Sequence, residues 1–298
     1  MKWEPTLLTP GSPVYVRDLD MDFLEERLRA RKPFSFWKLN HAHWELLLRY
    51  YRSTEGDSPI EREVLLSSRF CEGFARWMLK EQRFYPCASP EAFVEVLTRI
   101  NTLLSTMPYD STIDSNYYIG VSDSSVWDYK NINGKTNSKH KVSVRGVNEI
   151  IRGHLPLDHS MESSNLPVRG TLFKKAYRQH RKRLESFVAT AAHGFPTLYV
   201  GNIEIRPHLR KKIAHIPTHP HNNLSASNAI LDKIRAWHAT LDPGAPKIIF
   251  FKGGHTQALW IDTLYQELEN TYLLDVGQAL DPLVRHSHIS KRWERVGQ

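Results

Sequence analysis

The chain has 298 residues, 41% of them hydrophobic and 24% charged, which is ordinary for a globular protein and enough to bury a sizeable core. Lysine and arginine outnumber the acids 40 to 32, so a net charge of +8 and a pI near 9.4 favour polyanionic partners such as nucleic acid or nucleotide-linked substrates. The opening "MKWEPTLLTPGSP" holds no apolar run of signal-peptide length and no segment reaches the roughly 18 apolar residues of a membrane span, so a cytoplasmic location is expected. Cys71 and Cys87 lack metal-ligand spacing and read as reduced structural thiols rather than a disulfide framework.

In chain order, "DLDMDFLEERLRARK" reads as a short amphipathic helix, and Pro33 then introduces "FSFWKL", an apolar alternation with strand character. "HAHWELLLRYYR" reads as helical. "SPIEREVLLSSRFCEGFARWMLKEQ" and "SPEAFVEVLTRINTLLSTM" are helices, each opened by Ser-Pro, a capping side chain followed by a pre-set first turn. "NYYIGVSDSSVW" is a strand and a polar turn. Residues 130–167 are rich in Asn, Ser, Gly and His with little periodicity, as in a loop insertion facing a substrate.

"LFKKAYRQHRKRLESFV" is a basic helix. Phe173, Tyr177, Leu184 and Phe187 or Val188 supply its inward face and turn Lys174, Lys175, Arg178, Arg181, Lys182 and Arg183 outward. Those cations serve equally as a solvated face or as contacts to a phosphate backbone. Lys135, Lys139 and Lys141 in "NINGKTNSKHKVSVR" add to the second reading, as does "RPHLRKK". "TLYVGN" and Ile213 to Ile216 are strands, "SASNAILDKIRAWHATL" is a helix stopped by Asp242-Pro243-Gly244, and Ile248 to Phe251 is a buried strand. Ala258, Ile261, Leu264 and Leu268 then mark a helix, and "TYLLDVG" completes a strand–helix–strand unit.

This alternation predicts an α/β fold: a Rossmann-like, mostly parallel sheet with helices on both faces and helical and loop insertions, in a single domain over 1–298. Ligand sites in such sheets lie at the carboxyl ends of strands. Polar clusters follow the strands there: Lys38-Leu39-Asn40-His41-Ala42-His43, Ser122-Asp123-Ser124-Ser125, Gly201-Asn202, Lys252-Gly253-Gly254-His255-Thr256 and Asp275-Val276-Gly277-Gln278. A glycine turn feeding a helix, with Thr256 as its cap, suits a phosphate; it is equally a tight turn that needs glycine for its backbone angles. His41 and His43 point the same way in an extended chain and suit a divalent metal or a phosphate, or are ordinary surface or core histidines. Asp123 is a candidate base for an acceptor hydroxyl, or an Asx-turn residue. Trp127, Tyr129 and Tyr118 suit stacking on a sugar or base, and equally suit a core. No G-x-S-x-G, Walker lysine motif or paired Cys-x-x-Cys is present, which argues against serine hydrolases, P-loop kinases and zinc fingers.

In order and spacing, "FSFWKLNHAHWE", "YYIGVSD" and "FFKGGHTQALWIDTLYQELENTYLLDVGQALD" resemble three motifs of the GT-D-fold glycosyltransferases, over about half the chain. The resemblance implies a nucleotide-diphosphate sugar donor, bound by Lys38, Asn40, His41, Gly253, Gly254, His255, Thr256, Asp275 and Gly277. His41-Ala42-His43 stands where the family has an acidic D-x-E that binds a divalent metal. It implies a hexosyl- or pentosyltransferase in which Lys38 and His43 stabilise the leaving diphosphate and Asp123 activates the acceptor. With the basic charge, the expected acceptor is a hydroxymethylated base in DNA, as for bacteriophage DNA-modifying enzymes. A surface polysaccharide or protein acceptor, and a non-catalytic nucleic-acid-binding protein on the same scaffold, are the rival readings.

Overall fold

The computed structural model describes residues 3–9, 12–17, 19–38, 116–121, 168–170, 172–202, 204–218, 226–254 and 256–284. In chain order these form β1 (Trp3–Thr9), β2 (Ser12–Arg17), α1 (Met21–Arg29), β3 (Ser35–Lys38), β4 (Tyr117–Val121), β5 (Val168–Arg169), α2 (Leu172–Gln179), α3 (Arg181–Gly194) and β6 (Thr197–Gly201). There follow α4 (Pro207–Arg210), β7 (Ile213–Pro217), α5 (Ser227–Ala239), β8 (Lys247–Lys252), α6 (Thr256–Glu267), β9 (Thr271–Asp275) and α7 (Asp281–Val284). The expected helices over 41–52, 58–82 and 89–107, and the loop insertion at 130–167, lie outside the described residues.

The chain divides into two compact units, one of Met1–Asp18, Lys38–Ser115 and Ile119–Gly170, the other of Leu19–Trp37, Asn116–Tyr118 and Thr171–Gln298. In the first, β1 and β2 form an antiparallel hairpin with an irregularity between Leu7 and Thr9, β5 runs parallel to β2 through Arg17 and Val168, and β4 runs parallel to β5.

In the second unit β3, β9, β8, β6 and β7 are neighbours in that order and all parallel. β6, β8 and β9 are buried at nearly every position, as parallel strands covered on both faces must be, and this is why their sequences are continuous apolar runs. Register partners share a face. Phe36 and Leu274 are partners, and on their face Phe36 meets Phe173 edge-on at 5.9 Å, while Tyr272 meets Phe195 at 6.1 Å and donates to the Arg27 carbonyl at 2.8 Å. α1, α2 and the end of α3 therefore cover this face. Phe251 points the other way and packs on Trp260 of α6, whose indole donates to Ser227 of α5 at 2.6 Å. Helices lie on both faces of a parallel sheet, so the α/β, Rossmann-like architecture expected from the sequence holds for this unit.

Local rules account for the helix boundaries. Asp20 caps α1 by accepting from the Phe23 N–H at 3.0 Å. The basic stretch departs from expectation, forming two helices broken at His180, whose backbone leaves the helical region at φ −136° and ψ 40°. An unbroken helix would put His180 on the apolar face four residues from both Ala176 and Leu184; the break turns it to solvent.

At the last turn of α5, burial first and then the Lys247 charge hold the imidazole of His238 below its ordinary pKa of 6.5. The unfolded chain takes up a proton that the folded chain resists. This contribution is therefore present above about pH 6.5 and is lost as pH falls below it. Urea unfolding followed down a pH series should show a shallower acid decline for His238→Gln than for the unchanged protein; identical declines would contradict the assignment.

Candidate functional site

The site is built where β8 and β9 end side by side, with Phe251 opposite Asp275. After β8 the chain turns through Gly253 and Gly254 into α6, and the two glycines are there for different reasons. A Cβ on Gly253 would lie 2.3 Å from the Trp260 ring, so the first glycine lets the backbone pass the buried indole. Gly254 has φ 66°, which L side chains resist, so the second makes the turn itself. Gly277, just past β9, also has a positive φ, of 51°.

The expectation that Gly253 offers its N–H to a diphosphate is corrected. That N–H donates to the Gln257 side-chain oxygen at 2.7 Å in a buried bond, because Gln257 sits one helical turn into α6 and folds back over the turn. Gly254, the next residue of the turn, is half-exposed. Thr256 is the first helical residue rather than the residue before the helix, and it is buried. His255 lies outside the described residues. Asp275, the last residue of β9, is fully buried, and Val276 after it donates to the Phe251 carbonyl at 3.2 Å.

The structure thus brings Gly254, Thr256, Asp275 and Gly277 to adjoining strand ends. Lys38 is the last residue of β3 and is counted with the first unit. Asn40, His41, His43, Asp123, Lys135, Lys139 and Lys141 lie outside the described residues, as do Trp127 and Tyr129. Among the described residues no three His, Cys, Asp or Glu side chains gather as a metal site would require.

Tyr118 resolves into packing. It is 7% exposed, meets Phe23 and Phe34 edge-on at 5.4 and 5.8 Å, and its hydroxyl accepts from Arg27 at 2.9 Å. Its neighbour Tyr117 accepts from the Trp37 indole at 2.9 Å and donates to Asp262 of α6 at 3.0 Å, tying the strands to the helix behind the glycine turn.

The basic helices are also more committed than their sequence indicates. Arg183 bridges to Asp22 and Glu25 of α1 at 2.5 and 2.7 Å, and its guanidinium holds the Asp22 carboxyl below the usual carboxylate range. Arg181 pairs with Glu185 at 3.0 Å. Arg183 is thus corrected from an outward phosphate contact to a tie between α3 and α1. Lys174, Arg178 and Lys182 remain exposed, and Lys175 is half-exposed.

Lys252 and Tyr199, to which the sequence assigns no role, stand on the other face of β8 and β6. Lys252, which closes β8, is 15% exposed and pairs at 2.7 Å with Asp281 of α7, itself 13% exposed. Tyr199 of β6 is wholly buried, and burial, then the negative charge of Asp281, push its phenol well above the usual value. Arg206 donates to the Pro282 carbonyl at 2.8 Å and holds α7 in place. Lys252 carried a readable signal, a charge directly after four apolar strand residues. Tyr199, inside such a run, carried none.

No helix among the described residues is long and apolar enough to cross a membrane. No family model matches the chain, and no curated protein matches it. Among solved structures it is similar to the domain of unknown function 1792, described as highly conserved and as having a distinct glycosyltransferase fold. The identity is 12% and the TM-score 0.48, over 89% of this chain and 79% of that one, a likeness that assigns no activity.

Proposed function

We propose that the protein is a glycosyltransferase that moves a sugar from a nucleotide-diphosphate donor to a hydroxyl acceptor. The observation that carries this reading is the turn at Gly254. A left-handed glycine opens a twelve-residue helix at the carboxyl edge of a parallel sheet, beside a second left-handed glycine at Gly277. Open α/β sheets take ligands at that edge, and a helix N-terminus favours an anion. The order of the three sequence motifs supports the same reading.

In this scheme the Gly254 N–H, the Thr256 hydroxyl and the start of α6 hold the diphosphate, with His255 beside them, while Asp275 and Gly277 shape the neighbouring wall. The bond from the sugar anomeric carbon to the diphosphate oxygen breaks and the diphosphate leaves with the electron pair. Lys38, Asn40, His41 and His43 offset its charge, and His41 and His43 would hold a divalent metal if one takes part. The acceptor oxygen bonds to the anomeric carbon and its proton passes to Asp123. Positioning and charge stabilisation supply the rate.

The acceptor favoured by the net charge of +8 is a hydroxymethylated base in DNA, flipped from the duplex, with Lys135, Lys139, Lys141, Lys174, Lys175, Arg178 and Lys182 on phosphates. The ion pairs of Arg181 and Arg183 favour the rival acceptor, a surface polysaccharide or a protein, because they remove two cations from that grip. Incubation with hydroxymethylated DNA and a panel of sugar nucleotides should release nucleoside diphosphate and add the mass of one hexose or pentose to a digested nucleoside. Release without that mass gain would move the acceptor to a glycan or protein. No release from any donor, with salt-sensitive DNA binding, would leave a nucleic-acid-binding protein.

A further inference from the structure

We infer that Tyr199, Lys252 and Asp281 form a subsite for sugar hydroxyls, on the sheet face opposite α6. This deepens the glycosyltransferase reading and rests on it.

Strand geometry brings the three together. Tyr199 and Gly201 are two apart on β6 and share a face, and Gly201 is the register partner of Lys252 on β8. The phenol runs along the strand toward its carboxyl end: a Cβ on Gly201 would lie 2.6 Å from ring carbon Cε1 and 2.8 Å from the hydroxyl oxygen. Gly201 therefore leaves the space in which the hydroxyl arrives at the strand end, beside the position that bears the Lys252 side chain. The Lys252 ammonium in turn pairs with the Asp281 carboxylate at 2.7 Å.

The Tyr199 hydroxyl is buried and has no hydrogen-bond partner among the described residues. Burying a hydroxyl unpaired is unfavourable, and nearly all such groups in folded proteins are satisfied. Thr218, whose N–H donates to the Gly201 carbonyl at 3.2 Å, carries a second buried hydroxyl in the same condition. A phenylalanine would fill the ring space at position 199 without that cost, so the oxygen calls for a partner that comes and goes.

The chemistry selects the ligand class. Asp281 offsets the charge of Lys252, so the pair does not attract a phosphate, and a carboxylate beside the phenol repels one. A hydroxyl group suits all three, since it accepts from the phenol or the ammonium and donates to the carboxylate. Lys252 and Gly253 are consecutive, so such a subsite adjoins the glycine turn across the end of one strand. Diphosphate on the α6 face and sugar on the Tyr199 face would then straddle the end of β8.

Tyr199→Phe removes only the oxygen. Calorimetric titration of the full chain with uridine diphosphate, guanosine diphosphate, and their glucose and mannose conjugates reads the consequence. The subsite predicts an unchanged or higher ligand-free melting temperature, unchanged affinity for the bare diphosphates, and affinity for the sugar conjugates weakened by about five- to tenfold, the worth of one neutral hydrogen bond. A lower ligand-free melting temperature with unchanged conjugate affinity would show that the phenol serves the fold and would overturn the subsite. Equal weakening of diphosphate and conjugate would overturn it too, leaving the donor reading intact. If the unchanged protein binds neither diphosphates nor conjugates, the donor reading fails and the subsite fails with it.

Discussion

Gly253→Ala is expected to lower stability by about 3 kcal/mol, a drop of roughly 5 °C in melting temperature for a chain of this length. The added Cβ would stand 2.3 Å from one carbon of the Trp260 ring and 2.9 Å from another. The indole has nowhere to go: it is fully buried, packs on Phe251, and is anchored by its bond to Ser227. Relief must come from the backbone, and moving it breaks the buried bond from the Gly253 N–H to Gln257. Gly254→Ala has a different cause and a smaller effect, about 1–2 kcal/mol for forcing a side chain into the left-handed region. Gly194→Ala is the control, since nothing lies within 4 Å of its added Cβ, and it should be neutral or slightly stabilising. Chemical unfolding of the three variants checks the order. A loss below about 1 kcal/mol at Gly253 would mean that the helix yields around the indole, and the account of the turn would be wrong.

The pair of glycines marks the limit of what the sequence discloses. An apolar run, two glycines and a helical period do specify strand, turn and helix, because central parallel strands are buried on both faces and spell themselves as continuous hydrophobic residues. Residues Ile248 to Phe251 and the apolar run of β9 are legible for that reason. Asp20 and Pro33 bracket α1 by capping and by the backbone restriction before proline. What one glycine does and what the next does is not legible, since the Trp260 ring that excludes a Cβ at Gly253 sits seven residues on and arrives only when α6 docks. The β1–β2 hairpin was hidden by Pro5, Pro10 and Pro13, which demote a strand reading. β5 and α7 span two and four residues, too short to show a period, so no sequence signal marks the helix that delivers Asp281 to Lys252. Charge counting also misled at Arg183, because its partners Asp22 and Glu25 lie about 160 residues earlier, at separations of 161 and 158.

Asp281→Asn is expected to cost about 2–3 kcal/mol, the second large effect, and Lys252→Met with Asp281→Leu together should recover most of it. The pair is 15% and 13% exposed, so removing the carboxylate leaves an ammonium that water reaches poorly. Breaking one side of such a pair is costly, whereas replacing both sides by apolar groups is often neutral. The Arg206 bond to the Pro282 carbonyl is untouched by these substitutions and should hold α7 in place while the pair is changed. Arg235, which bridges α5 to Glu267 of α6, gives the exposed comparison at 40% and 36% exposure. Solvent screening there limits the effect of Arg235→Ala to about 0.5 kcal/mol, and salt should erase it. A double-mutant cycle at 50 and then 500 mM salt, values chosen as roughly bracketing strong and weak screening, distinguishes the two cases. Coupling between Lys252 and Asp281 should persist where the Arg235 effect fades. Coupling that vanishes with added salt would mean that water reaches the pair freely, and the strand end would then be too wet to hold the Tyr199 hydroxyl for a sugar.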